Sequence, residues 1–119
     1  NPRIKKASIN TWQWVEWEHS ETAVEAIKKI RQSVILKIIC VEQDPRSIPY
    51  TKMKVEFPLA IVVGNETYGV SKEVLKMADE IVEIPMWGVN KSLNVMVSLG
   101  IILFKIVENT TALHRTVVK

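Results

Sequence analysis

Residues 59–107 read LAIVVGNETYGVSKEVLKMADEIVEIPMWGVNKSLNVMVSLGIILFKIV, and this stretch decides the fold. The apolar run Leu59 to Val63 ends abruptly at Gly64-Asn65-Glu66, with a second glycine at Gly69. A short helical pattern follows, in which Ser71 can cap and Val74, Leu75 and Ala78 point inward. A second apolar run, Ile81 to Ile84, stops at Pro85, and a polar loop from Gly88 to Ser92 feeds a long apolar helix. Twice, a strand-like run breaks into a loop rich in Gly, Pro and Asn. In open α/β sheets, ligands sit where such loops leave the carboxyl ends of the strands.

Upstream, Thr22 and Glu25 have capping-box spacing at the start of a helix that should end near Gln32, with Ala23, Val24, Ile27 and Ile30 as its apolar stripe. Val34 to Val41 is a nearly continuous apolar run interrupted by Lys37, the pattern of a parallel strand buried on both faces. Glu42-Gln43-Asp44-Pro45 closes it as a loop, and Ser47 to Glu56 reads as a connector. Trp12 and Trp14 alternate with Gln13 as a short strand does; with Trp17 they suit core or interface packing, or stacking on bases. The basic segment 1–8 reads as a turn or two of helix, either a solvated face or a phosphate contact. The expected class is α/β, with a mainly parallel sheet flanked by helices.

The final helix is expected from about Ser92 or Leu93 to Glu108, followed by a polar, basic tail. It is apolar around most of its circumference, so it should be buried on several sides, most simply against a second copy of the chain.

The 119 residues suit one domain, and the net charge of +3 permits nucleic-acid contact without requiring it. Cys40 is the sole cysteine, so no internal disulfide can form and a reducing, cytoplasmic setting is expected. No membrane span or signal peptide is read, and the Asn-Pro start without Met suggests a piece of a longer protein.

Several chemistries are disfavoured. Gly64 to Gly69 has phosphate-loop glycine spacing, but Val70-Ser71 stands where Lys-Ser is needed, and there is no GxGxxG. His19 and His114 lack metal-ligand spacing, so no metal is expected. Cys40, inside an apolar strand, reads as packing. The pair of loops remains. Gly64 admits close approach by a ligand or another backbone. Glu66 can accept from a cation, a hydroxyl or a ribose, or stand in water as a turn carboxylate. Pro85 leaves the main-chain groups of Ile84 and Met86 open to a ligand. Ser92 and Asn94 can cap the last helix. Patterning alone gives a small-molecule-binding α/β domain.

GNETYG, then EIPM, then NKSLNVMVSLGI closely resembles the second and third motifs of the SpoU-type RNA 2′-O-ribose methyltransferases of the SPOUT class. NPRIKKAS resembles the helix before that family's middle strand, and ICVEQDPRSI its next strand and loop. The resemblance implies a trefoil-knotted methyltransferase fold, with residues 1–119 as the C-terminal portion of a single domain that includes the knot. It implies S-adenosyl-L-methionine as cofactor, tRNA or rRNA as substrate, and a homodimer through the last helix. Carried across, Gly64, Ile84, Met86 and Leu93 line the adenosine pocket, with Ser92 and Val95 flanking it and Val41 and Glu42 on the same cleft. Glu66 and Asn94 correspond to residues that hold the catalytic arginine and the substrate ribose. The family's first-motif pattern, Asn-x-Gly-x-x-x-Arg-x-Ala, is absent from residues 1–119. A non-catalytic RNA-binding or dimerisation module is therefore the alternative to an enzyme. An ATP-binding protein unrelated to RNA is a third.

Overall fold

Strand β1 (Lys37–Val41) forms the centre of a four-stranded parallel sheet. The structure is a computed structural model that describes residues 16–87 and 93–113, with side chains to 108. The expected helix at 1–8, the strand around Trp12 and Trp14, the loop 88–92 and the chain beyond 113 lie outside the described residues.

Helix α1 (Ala23–Ser33) starts where expected: the Thr22 hydroxyl accepts the Glu25 N–H at 3.1 Å. Val24 and Ile27 face the core, whereas Ile30 is largely exposed. The next strand is shorter than the apolar run. The Val34 N–H still donates to Ile30 O, Ile35 is 94% exposed, and β1 begins only at Lys37. Lys37, the charge that interrupts the run, has a structural partner. Its Nζ pairs with Glu80 Oε2 at 2.7 Å and donates to Lys54 O at 2.8 Å, and both side chains of the pair are largely buried. A cation can enter a sheet when its positive charge and donors are satisfied in this way.

The stretch expected as a plain connector contains a two-residue strand, β2 (Ile48–Pro49), followed by a 3-10 turn at Tyr50–Lys52. Strand β3 (Leu59–Val63), helix α2 (Lys72–Met77) and strand β4 (Glu80–Glu83) follow. The order in the sheet is β2-β4-β1-β3. β1 pairs from Lys37↔Leu59 to Val41↔Val63 on one side and from Ile39↔Glu80 to Val41↔Val82 on the other. β2 occupies the edge (Ile48↔Val82), a place where proline is tolerated because no ladder donor is lost to the interior.

Alternate residues of the central strands feed two cores. Ile38, Cys40 and Ile81 pack with Ile27, Val74 and Leu75 under α1 and α2. Ile39 and Val82 pack with Met53, Ile102 and Ile106 under helix α3 (Val95–Leu113). The two-faced burial is why β1 reads as an unbroken apolar run. At the amino end of the sheet, Asp79 Oδ2 accepts the Ile38 N–H at 2.7 Å while the Asp79 N–H donates to Ile38 O at 2.8 Å.

α3 runs five residues beyond the expected end at Glu108, since no Gly or Pro follows Gly100 to stop it. Only one of its faces meets the sheet. Ile102 and Ile106 are buried, whereas Met96 and Phe104 are 70% and 78% exposed, and Val97, Leu103 and Val107 lie on the open side with them. No helix among the described residues is long and apolar enough to cross a membrane.

Ile102→Asp would put an unpaired carboxylate into the core between α3 and the sheet. It should destabilise the fold by more than about 3 kcal/mol, read by circular dichroism melting. A near-native melting temperature would contradict the placement of α3.

Candidate functional site

The carboxyl ends of β1, β3 and β4 and the amino end of α3 open onto one cavity of about 850 Å³. That size accommodates a nucleoside-scale ligand, since small-molecule sites commonly enclose ~300–1,000 Å³. β1 supplies Val41 and Glu42 to its wall, β3 supplies Val63 and Gly64, the chain after β4 supplies Ile84 and Met86, and α3 supplies Leu93, Asn94 and Val95. Glu66 lines it from the β3–α2 loop. Every site residue expected from sequence and lying in the described part of the chain therefore borders one cleft. Ser92 lies outside the described residues.

The β3–α2 loop is built by its own hydrogen bonds. Asn65 Oδ1 accepts the Thr67 and Tyr68 N–H groups at 2.7 and 3.3 Å, closing an Asx turn. Asn65 and Gly69 exchange main-chain bonds of 3.3 and 2.8 Å. Gly69 takes φ +69°, a left-handed conformation that glycine adopts without steric cost. This turn exposes Glu66 and Tyr68 at its tip. Gly64 is needed for a different contact than one with a ligand: an added Cβ would lie 2.2 Å from the Gly69 carbonyl carbon and 2.4 Å from Val70 N. The close approach is that of the loop to itself.

Glu42 and Asn94 each engage main chain. Glu42 Oε2 accepts the Val70 N–H at 2.8 Å and Oε1 accepts its neighbour's Gln43 N–H at 3.0 Å. Asn94 Oδ1 accepts the Met96 and Val97 N–H groups at 2.8 and 3.4 Å, and its carbonyl accepts from Ser98. Asn94 thus caps α3, which leaves its side-chain NH₂ to address a ligand.

Residues 1–104 match the SpoU rRNA Methylase family. The chain belongs to that family. It is 34% identical over 107 residues to a tRNA (guanosine(18)-2'-O)-methyltransferase of Aquifex aeolicus, a match over 85% of this chain and 50% of that protein. The crystal structure of the A. aeolicus TrmH/SpoU tRNA modifying enzyme is similar with a TM-score of 0.75 at 30% identity, over 86% of this chain and 51% of that one. The SpoU methyltransferase AviRb from Streptomyces viridochromogenes, crystallised with AdoMet, has a TM-score of 0.83 at 19% identity, over 94% of this chain and 46% of that one, a likeness of fold. The parallel sheet flanked by helices is the SPOUT methyltransferase arrangement. The chain spans about half the length of the curated relatives it matches.

Within this SpoU domain the cavity also takes residues that sequence reasoning passed over: Asp44, Asn65, Tyr68, Val70, Lys72, Glu83 and Ser98. Asn65 was the legible one, because an Asn directly after a strand and Gly often builds an Asx turn. Tyr68 and Lys72 carry no such local signal. Cys40 stays out of the chemistry. It is fully buried between β1 and α2, and that burial pushes its thiol up to about 11; the Arg46 charge pulls it down and the Glu42 charge pushes it up. A neutral thiol is a poor nucleophile.

Gly64→Ala should force the loop backbone apart and destabilise the domain by about 1–3 kcal/mol, with a lowered melting temperature. An unchanged melting temperature would show that the loop does not close on Gly64 as described.

Proposed function

We propose that residues 1–119 form the cofactor-binding portion of a SpoU-type methyltransferase that transfers a methyl group from S-adenosylmethionine to a ribose 2′-hydroxyl of tRNA or rRNA. The reading rests on one observation: three strand ends and the start of α3 border a single nucleoside-sized cavity. The cofactor suits the donor set. Carboxylates of Asp44, Glu66 and Glu83 line the cavity, and Lys72 is the only Lys or Arg among the described lining residues. A negative lining favours a sulfonium cation.

The cofactor, when bound, supplies a methyl group already activated on sulfur. The main-chain groups of Ile84 and Met86, on either side of Pro85, hold the adenine and ribose edges, while Leu93 and Val95 give apolar contact. Gly64 shapes the far wall by letting the β3–α2 loop fold tightly. The Asn94 NH₂ would donate to the substrate ribose and so orient the 2′-hydroxyl for transfer. Glu66, at the loop tip, accepts from the 2′-hydroxyl or from an arginine outside residues 1–119, and so assists removal of the proton.

The partners follow. RNA is the substrate, and a homodimer forms through the open apolar face of α3. Residues 1–119 are read as the C-terminal part of one domain with the family's trefoil knot, working in the cytoplasm. The relatives named as tRNA methyltransferases support RNA as the partner class. The exposed Met96 and Phe104 support the dimer, because a monomer rarely leaves so large an apolar face open.

Titration calorimetry on the protein at its natural full length should detect S-adenosylhomocysteine binding and none for ATP. Heat from ATP alone would replace this reading with an ordinary nucleotide-binding one. For the dimer, Phe104→Glu should halve the mass seen by light scattering while leaving the fold intact, because Phe104 does not pack into the core. A monomeric wild-type protein would refute the interface. Ile102, being buried against the sheet, is unsuited to that test.

A further inference from the structure

Glu42 was expected only to line the cleft, yet its hydrogen bonds reach three elements. Its own N–H donates to Val82 O at 3.0 Å, extending the β1–β4 ladder one residue past the strand. Its carboxylate crosses to the other side of β1 and accepts the Val70 N–H at 2.8 Å. Val70 is the last residue of the β3–α2 loop before the α2 cap, Ser71. The same carboxylate packs against Gly69 so closely that a Cβ there would sit 2.3 Å from Oε2. Backbone from β4, side chain from β1 and loop from β3 are therefore joined at one residue.

We infer that Glu42 is a positioning residue, a staple that holds the β3–α2 loop, and with it Glu66, over the cofactor cleft rather than a group that contacts the ligand. The inference rests on the methyltransferase reading for its consequence and on geometry for its mechanism. Main-chain N–H groups at a loop end have few partners inside a cleft, and a carboxylate oxygen is a strong acceptor for one. With both oxygens engaged by Val70 and Gln43, the carboxylate has its best acceptor positions directed at protein rather than at the cavity. Gly69 is the complementary half of the device: its left-handed φ disfavours a side chain, and a Cβ there would push the carboxylate from its present position.

Three substitutions separate this role from charge attraction. Gln keeps the length and one carbonyl acceptor for Val70; Asp keeps the charge but is one methylene shorter. A staple therefore predicts that Glu42→Gln holds S-adenosylmethionine, which carries the sulfonium charge, within about threefold of wild type, while Glu42→Asp and Glu42→Ala each weaken it about tenfold or more. The reverse order, Asp tolerated and Gln as damaging as Ala, would assign Glu42 to the ligand's positive charge and overturn the inference.

A ligand-free readout tests the mechanism separately. Amide exchange at Val70 should quicken in Glu42→Ala and stay near wild type in Glu42→Gln, with Ile39 and Cys40 amides protected throughout as the control for folding. An unchanged Val70 amide in Glu42→Ala would overturn the staple. Gly69→Ala should quicken Val70 exchange in the wild-type background and add less when Glu42 is already Ala, because the clash is gone; additive effects would argue against the coupling. If the wild type bound no S-adenosylmethionine while the exchange results held, the methyltransferase reading would fail and the staple would stand as a structural tie alone.

Discussion

The cleft exists because β1 is bordered in parallel on both sides and the residue that follows it, Glu42, is tied to both neighbours. A parallel sheet brings all its carboxyl ends to one edge, but the loops leaving that edge have no reason of their own to stay together. Here the Glu42 main chain bonds to β4 and its carboxylate bonds to the loop after β3. Glu66 and the Asx turn of Asn65 hang from that tie, and the wall opposite is the capped amino end of α3. The opposite edge of the sheet has its own ties, from Asp79 to Ile38 and from Lys37 to Glu80, which keep the strands in register beneath the site.

Such a frame matches chemistry in which the ligand carries the reactivity and the protein supplies placement. Methyl transfer from a sulfonium needs an oriented acceptor oxygen and a route for one proton, not a nucleophilic side chain. Cys40, the one thiol of the chain, is sealed in the core and held neutral, so it takes no part. What the cavity does offer is main-chain groups at strand ends, a directed amide on Asn94 and carboxylates around the rim. Membership of the SpoU family and the shared fold are consistent with that division of labour.

Parts of this were legible in the residues and parts were not. Thr22 and Ser71 announced α1 and α2 correctly, because a cap is a contact three residues long. The apolar runs at 34–41, 59–63 and 81–84 announced three strands of a mainly parallel sheet, the first of them buried on both faces, since such burial removes the polar alternation. β2 was hidden: two residues, one of them Pro, carry no periodicity, and only the exposed edge of β4 makes them a strand. The start of β1 was misplaced for a related reason. Val34 and Ile35 are as apolar as their neighbours, but the end of α1 and the pairing with β3 decide where the ladder begins. α3 looked buried all round, and the single chain covers one face, because composition counts apolar residues without saying which other chain, if any, they meet.

By itself, then, the sequence determined the main helices and strands, the parallel α/β class and the loops that would face a ligand, since each depends on neighbours within a few positions along the chain. Strand order, the shared cavity, the buried partner of Lys37 and the double engagement of Glu42 came from tertiary structure alone. Those contacts join residues 28 positions apart in the Glu42–Val70 bond and 43 in the Lys37–Glu80 pair. No local pattern encodes which distant donor a carboxylate will find; packing the two cores against the sheet makes that choice.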